Sequence, residues 1–347
     1  MPEIPLTAAS RAAAATMGKD VTDVEKVYVT RQLPQSALDR LDPKVEWSVN
    51  PDDRVLERDE LLEAVADVDG LLSLLTDTVD AEVFDAAPNL KIVANYAVGY
   101  NNIDVDEATK RGILVTNTPG VLTETTADLT WALIMSVARR VVEGDKFMRA
   151  GRYVGWAPML LLGSDIYGKT LGIIGMGQIG QAVARRAMGF DMEILYSDVF
   201  VDLPPVAEHL LNADEVEIDE VLRRSDFVTL HVPLMEETHH LIGRRELELM
   251  GPNAYLINAS RGPVVDEVAL VEALREGVIA GAALDVFEDE PAMKPGLAEL
   301  DNVIVLPHLG SATIETRTEM ADLAVTNLLN FFAGERPPTP VNPDVLK

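Results

Sequence analysis

Short apolar runs, each followed by a stretch of helical spacing, alternate along almost the whole chain. KVYVTRQLP (Lys26–Pro34) reads as a strand leading into the helix QSALDRLD, and VEWSV (Val45–Val49) as a strand before the amphipathic helix RDELLEAVADV. GLLSLL (Gly70–Leu75), LKIVANY (Leu90–Tyr96) and ILVTN (Ile113–Asn117) continue the series as strands, with AEVFDAA as a helix between the first two. Strand and helix in alternation predict a mostly parallel sheet, so the chain up to residue 118 is expected to form an α/β domain of its own.

Thr123–Gly151 reads as one long apolar helix, opened by Pro119–Gly120 and by capping threonines, and the crossing into a second domain falls just before it. Gly151–Thr170 shows no sustained period; it is a loop whose Trp156 and Met159–Leu162 form an apolar patch suited to an interface. The alternation then resumes with a helix near Ile218–Arg223, strand FVTLHVP, helix RRELELMG, strand AYLINAS, helix EVALVEALREG, and strands GAALDVF and VIVLP. Uninterrupted apolar strands of this kind suit a parallel sheet covered on both faces. A last helix, from about Ala312 to Ala333, ends at Gly334 before Pro337, Pro338 and Pro340. It lies beyond the final strand, so it is expected to cross back to the first domain.

One turn in this pattern carries chemistry of its own. LGIIGMGQIG (Leu171–Gly180) joins a buried run to Gly175, Gly177 and Gly180 in G-x-G-x-x-G spacing; a helical stretch and the strand MEILYS follow, and Asp198 stands eighteen residues after Gly180. Gly175 permits a tight turn, Gly177 lets backbone approach a pyrophosphate, Gly180 lets helix and strand pack closely, and Asp198 is placed to accept ribose hydroxyls. The expectation is therefore an α/β protein of two doubly wound parallel-sheet domains, Rossmann-like or flavodoxin-like, with a cleft between them. Residues 24–118 with 311–347 would form the substrate domain and residues 119–310 the NAD-binding domain, after a disordered extension of residues 1–23.

Composition narrows the partners. The 347 residues exceed the usual single-core size, which supports two domains. A net charge of −28 argues against nucleic acid or anionic membrane, since both call for a basic surface. Only 9 of the 29 basic residues are lysine, and with 57 acids this surface suits either high salt or simple solubility. The absence of cysteine removes disulfides, thiolate catalysis and cysteine zinc sites, and five histidines without HExxH spacing offer little to a metal. The first twenty residues lack the apolar core of a signal peptide, so a cytoplasmic location is expected.

Polar residues stand at three strand ends of the second half: Arg261 after AYLINAS, Asp285 to Glu290 after GAAL, and His308 after VIVLP. A guanidinium suits a carboxylate held in bidentate fashion, and a histidine beside a carboxylate suits proton exchange with an alcohol or ketone oxygen. Together they point to hydride transfer at a 2-hydroxy or 2-oxo acid. Position alone leaves His231, at the end of FVTLH, as open a choice as His308. In the first half, AVGYNNID (Ala97–Asp104) follows a strand, where Val98 and Gly99 could offer backbone N–H groups to an anion.

LGIIGMGQIG, HVPL, INASRGPVVDE, ALDVFEDEP and LPHLGSAT, in that order, resemble the D-isomer-specific 2-hydroxyacid dehydrogenase family. VYVTRQLP, NYAVGYNNID, NTPGVLTETTADL and WAPMLLLGSDIYGKT are most similar to its glyoxylate/hydroxypyruvate reductase branch. The resemblance implies that Arg261 binds the substrate carboxylate and carbonyl, that Glu290 pairs with His308, and that His308 is the proton donor. The spacing of 29 residues from Arg261 to Glu290 and 18 to His308 fits the family pattern. It further implies that the amides of Val98 and Gly99 bind the carboxylate, that Leu74 and Leu75 flank the substrate, and that Asp285 holds the nicotinamide carboxamide. His231 becomes a cofactor neighbour together with Gln178, Ile179, His308 and Gly310.

Asn101 departs from the family, since many members carry Asp there. Glu290 stands where formate dehydrogenases carry Gln, which disfavours formate, and the short stretch after His308 sets aside the long forms of phosphoglycerate dehydrogenase. The activity expected is NAD(P)H-dependent reduction of a small 2-oxo acid, glyoxylate or hydroxypyruvate, to the D-2-hydroxy acid. Phosphoglycerate or another D-2-hydroxyacid is the alternative substrate, and an NAD-sensing scaffold is the reading from a different class. Asp198 favours NADH, with NADP admitted if an arginine reaches the ribose from elsewhere. A homodimer through Ala127–Ala138 and the loop around Trp156 is expected.

Overall fold

The computed structural model describes residues 24–42 and 44–347, so the N-terminal extension expected over residues 1–23 lies outside the described residues. In chain order the first elements are β1 (Lys26–Val29), α1 (Gln35–Leu38), β2 (Glu46–Val49), α2 (Arg58–Ala64), β3 (Gly70–Ser73), α3 (Ala81–Ala86), β4 (Ile92–Asn95), α4 (Val105–Lys110) and β5 (Leu114–Thr116). Their strands form one parallel sheet in the order β2-β1-β3-β4-β5. Every residue of β3, β4 and β5 is buried, as a strand covered on both faces requires, whereas the edge strand β2 keeps alternate residues exposed. Asp80 caps α3 by accepting the amides of Glu82 and Val83, and Asp104 caps α4 through the amide of Glu107, which explains where these short helices start.

The second series comprises α5 (Thr123–Ala138), α6 (Val141–Arg149), β6 (Thr170–Ile174), α7 (Gln178–Ala187), β7 (Glu193–Ser197), α8 (Pro205–Leu211), β8 (Ala213–Glu215) and α9 (Ile218–Arg224). It continues with β9 (Phe227–Leu230), α10 (Arg244–Met250), β10 (Tyr255–Asn258), α11 (Glu267–Glu276), β11 (Gly281–Leu284), β12 (Val303–Val305) and α12 (Ile314–Phe332). These strands form a seven-stranded parallel sheet, ordered β12-β11-β10-β9-β6-β7-β8. Successive strand residues point to opposite faces, and each face has its own core. Ile173, Ile194, Ile257 and Ala283 join the core under α5 and α7, while their neighbours Ile174, Leu195, Leu256 and Ala282 join the core under α9, α10 and α11.

The chain divides into two compact units. One takes the described residues up to Tyr96 with Asn102–Asn117 and Ala321–Lys347; the other takes Ala97–Asn101 with Thr118–Met320. The five residues Ala97–Asn101 thus group with the seven-stranded sheet, and α12 begins in the second unit and ends in the first.

Two expectations need correction. The helix expected over Thr123–Gly151 is two helices, broken at Arg140, which takes the left-handed conformation at φ 52°. The reason is tertiary: the Ala138 carbonyl accepts the amide of Ser164, and Gly163 passes so close that a Cβ there would lie 2.2 Å from that carbonyl oxygen. Apolar periodicity carries no record of such a contact. Strand β8, of sequence ADE, was not expected, because three residues on a sheet edge with two exposed acids show no apolar run.

Candidate active site

The turn from β6 into α7 is shaped by its glycines. Gly175 has φ 98°, and a Cβ on it would lie 2.6 to 2.8 Å from the backbone of His231 and Val232. A Cβ on Gly180 would lie 2.2 Å from the Gly175 carbonyl, whereas nothing stands within 4 Å of one on Gly177. The first and third glycines therefore close the packing while the second opens the turn to a ligand. Gln178 and Ile179 begin α7, and no side chain caps its N-terminal amides, which leaves them to an anion. Asp198, after β7, accepts the Met176 amide at 2.6 Å through one oxygen, and the amides of Phe200 and Val201 at 2.7 and 3.0 Å through the other. These residues fit a dinucleotide: an open glycine, an uncapped helix start and an oriented carboxylate.

His231 follows β9, half-buried, with its Nδ1 fully enclosed. Its Nε2 lies 3.0 Å from Thr229 Oγ1, its Nδ1 has no partner, and burial pushes its pKa down to about 4. The imidazole is thus neutral near pH 7 and has no imidazolium proton to give.

Arg261 leaves β10 through a turn that Asn258 organises. Asn258 Nδ2 donates to the Arg261 carbonyl at 2.9 Å, and its Oδ1 accepts the amide and hydroxyl of Ser260. The guanidinium donates through Nη1 to the Ser260 carbonyl at 2.7 Å and through Nε to Asn101 Oδ1 at 3.2 Å. A Cβ on Gly99 would lie 1.9 Å from Arg261 Nη2, so the bare backbone of the Val98–Gly99 loop lies directly against the guanidinium. Burial pulls the Arg261 pKa down while Glu290 pulls it up, and the group remains a cation. Asn101 is a neutral partner, so the charge is not neutralised by the loop that touches it.

Glu290 Oε1 accepts the Phe287 amide at 3.1 Å, and Oε2 stands 3.1 Å from His308 Nδ1. Burial pushes the Glu290 carboxyl up, but His308, the Phe287 amide and Arg261 outweigh it, so it lies below the ordinary carboxylate range. His308 holds a left-handed backbone at φ 57°, rare for a residue with a Cβ. Asp285 secures it: the Asp285 carbonyl accepts the His308 amide, and its carboxylate accepts the amides of Leu309 at 2.7 Å and Gly310 at 2.8 Å. Burial raises the Asp285 carboxyl, with those amides and His308 opposing it.

The structure therefore brings Val98, Gly99, Arg261, Asp285, Glu290, His308 and Gly310 into the unit that carries the glycine turn. Leu74 and Leu75 belong to the other unit, where the Leu74 amide donates to Asp77 and its carbonyl accepts Asn102 Nδ2. Asn258 is absent from the expected residues. Its signal was present as a polar residue inside the apolar strand YLIN. Among the described residues no group of three or more His, Cys, Asp or Glu is placed to hold a metal, and no helix is long and apolar enough to cross a membrane.

Known proteins resemble this chain in sequence and fold. Residues 131–310 match the family described as D-isomer specific 2-hydroxyacid dehydrogenase, NAD binding domain. A glyoxylate reductase of Thermococcus gammatolerans is 54% identical over 326 residues, covering 93% of this chain and 97% of the relative. Among solved structures, a Thermus thermophilus protein aligns at a TM-score of 0.85 with 47% identity, covering 91% of this chain and 99% of its own. The NADPH-dependent glyoxylate/hydroxypyruvate reductase of Sinorhizobium meliloti, in complex with NADP and malonate, aligns at 0.81 with 35% identity, covering 92% and 97%. Fold and site define a nicotinamide-dependent oxidoreductase. The chain belongs to the D-isomer specific 2-hydroxyacid dehydrogenase family.

Proposed function

We propose that the enzyme reduces glyoxylate, and hydroxypyruvate as a second substrate, to the D-2-hydroxy acid, with Arg261, Glu290 and His308 as the acting residues. The observation that carries this is a guanidinium pressed against the glycine backbone of the Val98–Gly99 loop, in the same unit as a histidine within hydrogen-bond distance of a carboxylate. The guanidinium fork and the loop amides hold the substrate carboxylate. With Nδ1 engaged by Glu290, His308 presents Nε2, and its proton passes to the carbonyl oxygen as negative charge develops there. The bound nicotinamide supplies the hydride that C2 accepts. Glu290 stabilises the imidazolium before transfer and fixes its tautomer; Arg261 neutralises the carboxylate and polarises the carbonyl. Steady-state kinetics over a panel of 2-oxo acids test this: glyoxylate should give the highest kcat/KM, and no turnover of either substrate would sink the reading.

NADH is the preferred cofactor in this reading. Three amide bonds orient the Asp198 carboxylate and leave about one of its four acceptor sites for a ribose hydroxyl, and a 2′-phosphate there would meet a like charge. The nearest basic side chains in sequence are engaged elsewhere, Arg185 with Glu124 and Arg186 with Glu124 and Asp128. Asp285 meets the nicotinamide carboxamide, and His231 and Gly310 neighbour it. The enzyme works in the cytoplasm as a homodimer. Helix α5 buries most of its apolar side chains within its own unit, so the pairing surface lies chiefly on the loop where Val154 is 100%, Trp156 82% and Met159 77% exposed. A monomeric mass by light scattering across salt concentrations would end that idea.

A further inference from the structure

Glu267 opens α11 and is 3% exposed, and its hydrogen-bond donors are amides, with the Lys294 ammonium acting on it only at longer range. Its Oε2 accepts the Glu288 amide at 3.0 Å and its Oε1 accepts the Lys294 amide at 2.9 Å. Glu288 returns the contact, accepting the Glu267 amide at 3.3 Å through Oε2, while its Oε1 lies 2.5 Å from His240 Nε2. Between the two tethered amides the chain makes a tight turn, closed by the Ala292 amide on the Asp289 carbonyl, and Glu290 is inside that turn. Glu290 in turn accepts the amide of Phe287, the residue before the first tether, and meets His308 with its other oxygen.

A carboxylate buried without a cation in direct contact is costly, and an apolar residue could fill the same space. An apolar side chain, however, could not tie positions 288 and 294 to one point. We infer that Glu267 is a positioning residue for the reaction: both ends of the turn that carries Glu290 hang on its two oxygens, so it sets where the Glu290 carboxylate meets His308. The inference rests on the proposed role of Glu290 and His308. A glutamine at 267 would keep one acceptor oxygen and present an NH2 group to the second amide, releasing one end of the turn.

The test is a double-mutant cycle of Glu267→Gln and Glu290→Gln, reading kcat, KM for glyoxylate, the pH–rate profile and NADH affinity by fluorescence. Glu267→Gln should lower kcat by roughly 10²-fold, as misplacement of a catalytic group by about 1 Å does, with NADH affinity retained. It should also move the alkaline limb of the profile to lower pH, in the same direction as Glu290→Gln, because both weaken the counter-charge on the imidazolium. In the Glu290→Gln background the second change should cost no more than about twofold. An equal loss in both backgrounds, or an unmoved limb, overturns the inference. If Glu267→Gln does not fold, Glu267→Asp carries the same cycle, with a smaller loss expected since both oxygens remain. Wild-type kcat in Glu290→Gln alone would instead strike at the proposed role of Glu290, which separates the two failures.

Discussion

His308 Nδ1 stands 3.1 Å from Glu290 Oε2, and the backbone of His308 is held in a left-handed conformation by Asp285, the residue that begins the segment carrying Glu290. The pair therefore has a fixed side-chain partner and a fixed backbone. Glu290 has a depressed pKa when folded, so its contribution to stability is present above its unfolded value of about 4.3 and is lost as pH falls through the folded value. Asp285 is raised, so its sign is opposite and it masks part of the effect. The expected outcome is that wild type and Glu290→Gln differ in melting temperature most at neutral pH and converge in acid. Thermal unfolding followed from about pH 7 to pH 3 checks this. A constant difference across that range would mean that the shift has no ionic origin.

Arg261→Ala and His308→Ala should fail in different ways. In the proposed reaction Arg261 would bind the carboxylate in ground and transition states alike, so its loss should raise KM by about 10- to 100-fold and lower kcat as well. As the proposed proton donor His308 would act only as charge develops, so its loss should lower kcat by about 10²- to 10⁴-fold with little change in KM. Near-wild-type kcat in His308→Ala would remove it as the donor.

Gly99→Ala isolates the contact between the loop and the guanidinium. The added Cβ would occupy a point 1.9 Å from Arg261 Nη2, the far end of a flexible side chain, so the arginine moves and the fold survives. The expectation is a fall in kcat/KM of about tenfold or more with a melting temperature within about 2 °C of wild type. Unchanged kcat/KM would show that the guanidinium need not lie where the structure has it.

Asp198→Ser addresses cofactor choice. Wild type should use NADH with at least about tenfold higher kcat/KM than NADPH, and the variant should narrow that ratio. Equal or better use of NADPH by wild type would refute the role given to Asp198.

The glycine turn could be read from the sequence because it sits where a strand ends, and strand ends are marked by the switch from an apolar run to glycine or charge; Arg261, Glu290 and His308 were singled out only by the family resemblance, since position alone left His231 as open a choice as His308. The two sheets followed from the same alternation. What stayed hidden depends on contacts distant in sequence. The break at Arg140 follows from Ser164 reaching the Ala138 carbonyl, and the neutrality of His231 follows from burial that no local pattern encodes. Asn258 and Glu267 read as an incidental polar residue and a helix-start acid, since a side chain that acts through backbone amides leaves no charge partner to look for. Asn101 was noticed as a departure, but only its bond to Arg261 Nε gave the departure a physical meaning.

The split of neighbouring residues between two cores makes the central strands intolerant of frame shifts. Ile173 and Ile174 serve opposite faces, as do Leu256 and Ile257, so deleting one residue within β6 or β10 would invert every later side chain of that strand. Around the centre of β6 both faces are apolar, so only differences in shape would resist the exchange; in β10 the shift would also take Asn258 away from the Arg261 carbonyl. Changes of length in this chain should therefore be tolerated in the loops between strands, whereas one lost codon in the centre of β6 would leave two misfilled cores.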